Sequence, residues 1–404
     1  MNIVHLNTHD WYGGASIVAY RLAEKQNLSG HYSRILCGYK VRETDISLSF
    51  PIENDKEDEK FLNGWVYNNL KGSAKLPDHH WIKNADILNI HNLHGGYFNY
   101  NHLSALSRSI PTVWTLHDMQ SFTGRCAHSF DCERWRIGCG ECPKLNYYPP
   151  VEKDLSDKML KQKHNIYQNA NLHLICPSIW LQKKIECSIL QKAETTLIYN
   201  GVDENIYSPY PNVDKSIYNL PEDALLIGFL AHGGVKNPYK GGSYLLEVVK
   251  KLRNLYPKTF FLEIGGDPKD EKLPDNFIKA VYTKEEKEIA KLYNSIDFLI
   301  YPAVADNCPL VVLEAMACGT PIVCFPTGGI PELIENGTSG IITKNTDSDN
   351  LLKACSIMIQ SEKLRNKFRI ESRKRILKHF TLKNQADSYE KLYNEVLDSK
   401  VSRC

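Results

Sequence analysis

The sequence predicts an α/β fold of two domains. Each is a parallel sheet covered by helices on both faces, and the two face one another across a cleft. Three observations carry the prediction. Short apolar runs alternate with helical segments along the whole chain. Those runs hold few polar positions inside, which marks parallel strands buried on both faces. A length of 404 residues exceeds what one hydrophobic core usually supports, so two domains are the default.

The elements follow in order. "NIVHLN", Asn2–Asn7, is the first strand. The glycine loop "HDWYGGAS" comes next, then a helix "ASIVAYRLAEKQNLSG" ended by Gly30. "SRILCGY" is a strand, and "ADILNIHN" and "PTVWTLHD" are two more, each ending in His and a polar residue. "LHLICPS" and "TTLIYNGVD" continue the series. A turn-rich stretch from about Tyr207 to Pro221 reads as a linker. The pattern then restarts with "ALLIGFLA", "TFFLEIGG", "KAVYT", "IDFLIYPA" and "TPIVCF". Ala386, Tyr389, Leu392, Tyr393 and Val396 recur at helical spacing. The expected domains are therefore 1–206 and 207–384, with a helix over 385–404.

In open parallel sheets ligands bind beyond the carboxyl ends of the strands. The polar strand ends Asn7, His91, His117, Asn200 and Asp306 are thus site candidates. Any one of them serves equally well as a turn former or helix cap.

Composition excludes several classes. Lys+Arg 49 against Asp+Glu 47 gives no polyelectrolyte character, so bulk charge offers no case for nucleic acid. The start "MNIVHLNTHDW" lacks a signal peptide's basic region and long apolar stretch, and no run approaches a membrane span. A cytoplasmic protein is expected, its 12 cysteines thiols or metal ligands rather than a disulfide framework.

The stretch "PAVADNCPLVVLEAMACGTPIVCFPTGGIPELIENGTSG" carries the chemistry. It delivers Asp306 to a strand terminus. Asn307 can cap the following helix, with Pro309 in the first turn. Asn307 and Glu314 lie nearly two turns apart, on one face, with the free N–H groups of the first turn. A helix start attracts phosphate, and a carboxylate further along accepts from sugar hydroxyls. The parts suit a diphosphate at the helix start and a ribose near Glu314. A capped helix with an exposed Glu is the plain alternative.

At this point the chain resembles the retaining glycosyltransferases of GT-B fold, the large glycogen-synthase-like family (family four), in its polysaccharide-building subset. Their pattern is Glu, seven residues, Glu, then Ala-Met-Ala-x-Gly-x-Pro. Here it reads Asp306, seven residues, Glu314, "AMACGTP" and "GGIPELI". Asp for the first Glu keeps the charge and shortens the reach. "HLNTHDWYGGASIVAYRLA" is similar to the family's N-terminal loop, and there Gly13 and Gly14 would let backbone approach the donor phosphates. "TLIYNGVDENIYSP" resembles its Asn-Gly-x-Asp signature. "NPYKGGSYLLEVV" resembles its Lys-Gly motif, making Lys240 the diphosphate lysine. The usual Arg five residues earlier is replaced by Val235, with Lys236 the nearest substitute.

The resemblance implies two Rossmann-like domains and sugar transfer from a nucleotide-diphosphate sugar to a saccharide or lipid-linked acceptor. It implies no catalytic metal or cofactor, and the chain has no strand-end Asp-x-Asp pair of the metal-dependent kind. It places His117 beside the transferred sugar, with Asp306 on the sugar hydroxyls. Asn307, Cys308 and Leu310 fall at the start of the diphosphate-binding helix, and Glu314 on the ribose. The last helix would cross back onto the first domain. A nucleotide-sugar epimerase, a phosphorylase and a non-catalytic binding module are the rival readings.

Two further segments stand out. "TGRCAHSFDCERWRIGCGECPKL" brings Cys126, Cys132, Cys139 and Cys142 into one loop. Four thiolates can close a tetrahedral Zn²⁺ site, and the same four can stand as reduced thiols or oxidise to disulfides. "KLRNKFRIESRKRILKHF" (Lys363–Phe380) is a basic helical segment. It reads as a solvated face or as a contact for anionic lipid at the inner face of the membrane.

Overall fold

The computed structural model describes residues 1–53, 69–210, 218–266, 274–280, 283 and 285–401. The apolar runs of the first half pair into one parallel sheet. Its strands are β1 Asn2–His9, β2 Tyr32–Tyr39, β3 Ser47–Ser49, β4 Ile87–Ile90, β5 Thr112–Thr115, β6 His173–Cys176 and β7 Glu194–Leu197. They lie in the order β3-β2-β1-β4-β5-β6-β7. Alternate residues face opposite sides of a strand. Leu6, Leu88, Ile90, Trp114 and Leu174 therefore pack on one face with Tyr97, Phe98 and Leu106. Ile3, Ile87, Val113 and Ile175 pack on the other with Tyr389, Leu392 and Tyr393.

The runs of the second half form β8 Leu225–Leu230, β9 Thr259–Ile264, β10 Phe277–Ala280, β11 Phe298–Tyr301, β12 Ile322–Cys324 and β13 Gly340–Ile342. Their order is β10-β9-β8-β11-β12-β13, all parallel. Ile227, Phe229, Phe261, Phe298, Ile300 and Val323 meet the helix residues Leu245, Val249, Leu351 and Phe368 in its core.

The chain divides into two compact units, Met1–Tyr199 with Gln385–Cys404, and Asn200–Asn384. The division falls at Tyr199–Asn200, earlier than the sequence expectation at 206/207. The reason is that Val202 bridges to Thr381, while Tyr207 and Glu204 offer their carbonyls to Arg373. Within the expected linker, 211–217 lie outside the described residues, as do 281 and 282 of the strand expected at "KAVYT".

The basic segment is the helix Glu362–His379, and its arginines turn inward. Arg365 donates to the carbonyls of Met358 (2.6 Å) and Ile359 (3.0 Å). Arg369 donates to Ile296 and Asp297, and Arg375 to Leu333 and Glu332. Much of this charge therefore satisfies carbonyls inside the second unit. Among the described residues no helix is long and apolar enough to cross a membrane.

Candidate active site

Strand order locates the site in the second sheet. β8 and β11 are neighbours whose next partners lie on opposite sides, which makes them the switch point where an open parallel sheet leaves a crevice. The loops leaving these two strands are stitched together. Val304 and Ala305 donate their N–H groups to the Tyr239 carbonyl, at 2.9 and 3.2 Å. Gly241 has φ +67°, and a Cβ there would lie 1.9 Å from the Pro302 carbonyl oxygen. Only glycine allows that approach. It sets the start of the helix Gly242–Leu255 against the end of β11, with Lys240 at the seam.

At that seam Lys240 forms an ion pair with Asp306. Tyr301, the last residue of β11, completes the cluster. Its hydroxyl lies 3.0 Å from the Lys240 ammonium and donates to Asp306 Oδ2 at 2.5 Å. The other carboxylate oxygen accepts the Asn307 N–H at 2.9 Å. Burial first, and then the charge of Asp306, pushes the Tyr301 hydroxyl well above its ordinary pKa, so it stays a donor. Gly328, at φ +56°, leaves room for the Asp306 carbonyl, which a Cβ would meet at 1.8 Å. Three loops after three parallel strands thus fix one carboxylate.

The helix that follows is Leu310–Ala317, capped by Pro309 with no side-chain cap bond. This corrects the expectation for Asn307, which is buried before the helix rather than capping it. Cys308 gives its carbonyl to Asn200 Nδ2 at 2.8 Å, and burial pushes its thiol up to about 12. Leu310 is buried at the helix start. Glu314 is buried, not exposed, and accepts from the Tyr293 hydroxyl at 3.2 Å. Lys236 is exposed on a short turn in the β8 loop.

The first sheet repeats the logic between β1 and β4, its own switch point. Asn7 Oδ1 accepts the Asn92 N–H at 3.2 Å, and Thr8 donates to the His94 carbonyl at 2.6 Å. Gly13, at φ +80°, precedes the helix Gly14–Leu28, and both glycines are exposed with nothing within 4 Å of an added Cβ. His117 follows β5, and its Nε2 lies 2.9 Å from His91 Nδ1. Burial lowers the His117 pKa to about 4, against the opposing charge of Asp118. Asp118 pairs with His94 at 2.8 Å; burial would raise its carboxyl, but His94 holds it below the ordinary range.

The cysteine loop is gathered around one cavity. Cys126, Cys132, Cys139 and Cys142 line one small cavity as free thiols. Among the described residues, no three His, Cys, Asp or Glu side chains could hold a metal ion together. Two basic side chains lie beside the thiols. Arg125 reaches Cys142 Sγ at 3.7 Å, and the buried Lys163 interacts electrostatically with Cys126 and Cys139. The Gly124 N–H is directed at Cys139 Sγ at 3.4 Å, whose thiol burial pushes up to about 12.

Tyr301, Tyr293 and the ring of His5 were not anticipated from sequence. His5 and Tyr301 sit in apolar strands and Tyr293 on the buried face of an amphipathic helix, where such a side chain reads as packing.

Two family models match the chain, Glycosyltransferase Family 4 over residues 12–206 and Glycosyl transferases group 1 over residues 214–375. The chain belongs to this glycosyltransferase family. WcaC of Escherichia coli (strain K12), named as a colanic acid biosynthesis glycosyl transferase, is 25% identical over 358 residues, 83% of this chain and 85% of WcaC. Among solved structures, sucrose-phosphate synthase from Thermosynechococcus elongatus matches with TM-score 0.74 at 15% identity, over 99% of this chain and 100% of that one. Anabaena HepE in complex with UDP-glucose matches with TM-score 0.69 at 16% identity, over 98% and 99%. At these identities the structures establish the GT-B fold and nothing finer.

Proposed function

We propose that this chain is a retaining, metal-independent glycosyltransferase. It moves a hexose-type sugar from a nucleotide-diphosphate sugar to a saccharide or lipid-linked saccharide in building a cell-surface polysaccharide. The observation that carries the reading is the Lys240–Asp306–Tyr301 cluster at the switch point of the second sheet. The HepE complex with UDP-glucose supports a nucleotide-sugar donor, and the likeness to WcaC supports a polysaccharide product.

The chemistry follows from the groups. The bond from the anomeric carbon to the diphosphate oxygen breaks, and positive charge develops on the sugar. The acceptor hydroxyl attacks from the face the diphosphate leaves, and the departing phosphate oxygen takes its proton. The protein supplies position and charge. Lys240 faces the diphosphate, whose negative charge grows as the bond breaks. The free N–H groups at the start of Leu310–Ala317, near Cys308 and Leu310, favour the same charge. Asp306, fixed by its donors, holds sugar hydroxyls. Glu314 holds the ribose, Gly13 and Gly14 admit phosphate to backbone, and Lys236 adds charge. His117 stays neutral and serves the transferred sugar. Lys363, Lys374 and Lys378 point outward on the basic helix and suit a peripheral contact with anionic lipid.

The test is a panel of nucleotide sugars, UDP-glucose first, scored by calorimetric binding and by the anomeric configuration of the product by NMR. Retention at the anomeric carbon is expected. Inversion, or epimerisation of the donor without acceptor, would overturn the reading.

A further inference from the structure

Three histidines run as a chain across neighbouring strands of the first sheet. His5 lies inside β1, His91 directly after β4 and His117 after β5. His5 and His91 are fully buried, and Gln26, on the helix Gly14–Leu28, is 1% exposed. The contacts form one line. Gln26 Oε1 lies 2.9 Å from His5 Nε2, His5 Nδ1 lies 3.0 Å from His91 Nε2, and His91 Nδ1 lies 2.9 Å from His117 Nε2. The His91 and His117 rings stack, with centroids 5.2 Å apart and planes 18° from parallel.

With Gln26 Oε1 facing His5, such a line carries protons in one order. A neutral imidazole has one N–H and one lone pair. Gln26 Oε1 can only accept, and it also accepts from Ser33 Oγ at 2.8 Å. His5 must then carry its proton on Nε2, leaving Nδ1 to accept. His91 must donate from Nε2, leaving its own Nδ1 to accept. His117 must donate from Nε2, which leaves Nδ1 as its acceptor. Turning the one amide of Gln26 would reverse all three rings.

We propose that Gln26, His5 and His91 are positioning residues that lock His117 as its Nε2–H tautomer. Nδ1 of His117 then accepts a hydrogen bond from the donor sugar and cannot donate one. The inference rests on the reading of His117 as a site residue, but the tautomer is measurable without it. Neutrality supports the chain. Burial holds His5 and His117 near pKa 4 and His91 well below its ordinary value, so every ring is uncharged at neutral pH. A charged His5 or His91 would leave two donors facing each other.

The experiment is long-range ¹H–¹⁵N correlation spectroscopy of the full chain with ¹⁵N-labelled histidine at pH 7, assigned by single His→Gln variants. The expected result is the Nε2–H form at His5, His91 and His117. Gln26→Met removes the acceptor oxygen at similar length. It should give mixed tautomers at His117 and a turnover roughly tenfold lower, with little change in donor KM. Gln26→Glu returns an acceptor and should restore the Nε2–H form. An Nδ1–H signal for His117 in the natural protein, or a His117 spectrum indifferent to Gln26→Met, overturns the proposal. If the tautomers are as stated while folded His117→Ala keeps full turnover, the relay stands and the assignment of His117 to the site falls.

Discussion

Tyr301 ends β11 with a buried ring and a hydroxyl shared between Lys240 and Asp306. Hydrogen bonds to charged groups contribute about 1.5–3 kcal/mol each. Tyr301→Phe keeps the ring and removes both, so turnover should fall by roughly tenfold or more in a protein of unchanged fold. Lys240→Ala should cost more, on the order of 10²-fold, because its interaction strengthens as the diphosphate leaves. A Tyr301→Phe enzyme as slow as Lys240→Ala would mean that the hydroxyl, not the ammonium, meets the substrate. The two carboxylates should separate by ligand. Glu314→Gln should weaken calorimetric binding of free nucleoside diphosphate, and Asp306→Asn should spare it while impairing the intact donor. The reverse pattern would exchange their duties. The strand end before Asp306 and the helix that carries Glu314 were legible in the sequence because both are local features. Tyr301 was not, because an aromatic at the end of "IDFLIY" reads as core. His5 was hidden in the same way, since its partner His91 is 86 residues away along the chain.

The first sheet is built around rings that must stay neutral, and that ties its stability to pH. His5 and His117 have pKa values near 4 in the folded protein and 6.5 as the ordinary value. Between those limits the unfolded chain binds more protons than the folded one, so stability rises with pH. It is fully present above about pH 6.5 and is lost as pH falls toward 4. Urea unfolding followed by a probe in the first unit should show a midpoint that drops from pH 7 to pH 5. His5→Asn should flatten that slope, and an unchanged slope would mean the rings are not held neutral. The cysteine loop depends on different pins. From Asp118 to Pro150 it holds one short turn, Arg134–Arg136, so few of its backbone groups pair in regular structure. Lys163 supplies donors to the carbonyls of Gln120 and Thr123, and Arg125 to those of Tyr147, Pro149 and Lys144. Lys163→Met leaves two buried carbonyls without that donor, at about 1–3 kcal/mol each. Faster proteolysis within 118–150 is the expected sign, and an unaltered cleavage pattern would show that the lysine pins nothing. Strands of eight and six residues were legible from their apolar runs, whereas β3 and β13, with three residues each at sheet edges, are too short to show a period.

At the scale of the molecule, the reaction proposed draws its charge stabilisation from the protein's own side chains and backbone N–H groups. Excess EDTA should therefore leave transfer rates unchanged, and a loss restored by Mg²⁺ or Mn²⁺ would bring a metal into the mechanism. The division into two sheets was legible because the apolar series restarts, while the boundary was not, since Asn200–Tyr210 has the look of a linker and the contacts of a domain. The helix Leu382–Val401 has a consequence for how the protein is made. Ala386, Tyr389, Leu392 and Tyr393 complete the first unit's core, and Tyr389 and Tyr393 bond to Thr115 and Asn89 inside it. On the ribosome, residues up to Tyr199 emerge while these partners are still untranslated. At about 5–20 residues per second the gap lasts roughly ten to forty seconds. Through that interval Ile3, Ile87, Val113 and Ile175 lack the aromatic cover they have in the finished chain. The second unit, Asn200–Asn384, has by then left the exit tunnel almost whole. The order of synthesis is thus reversed in the order of completion, and the half translated first is the last to close.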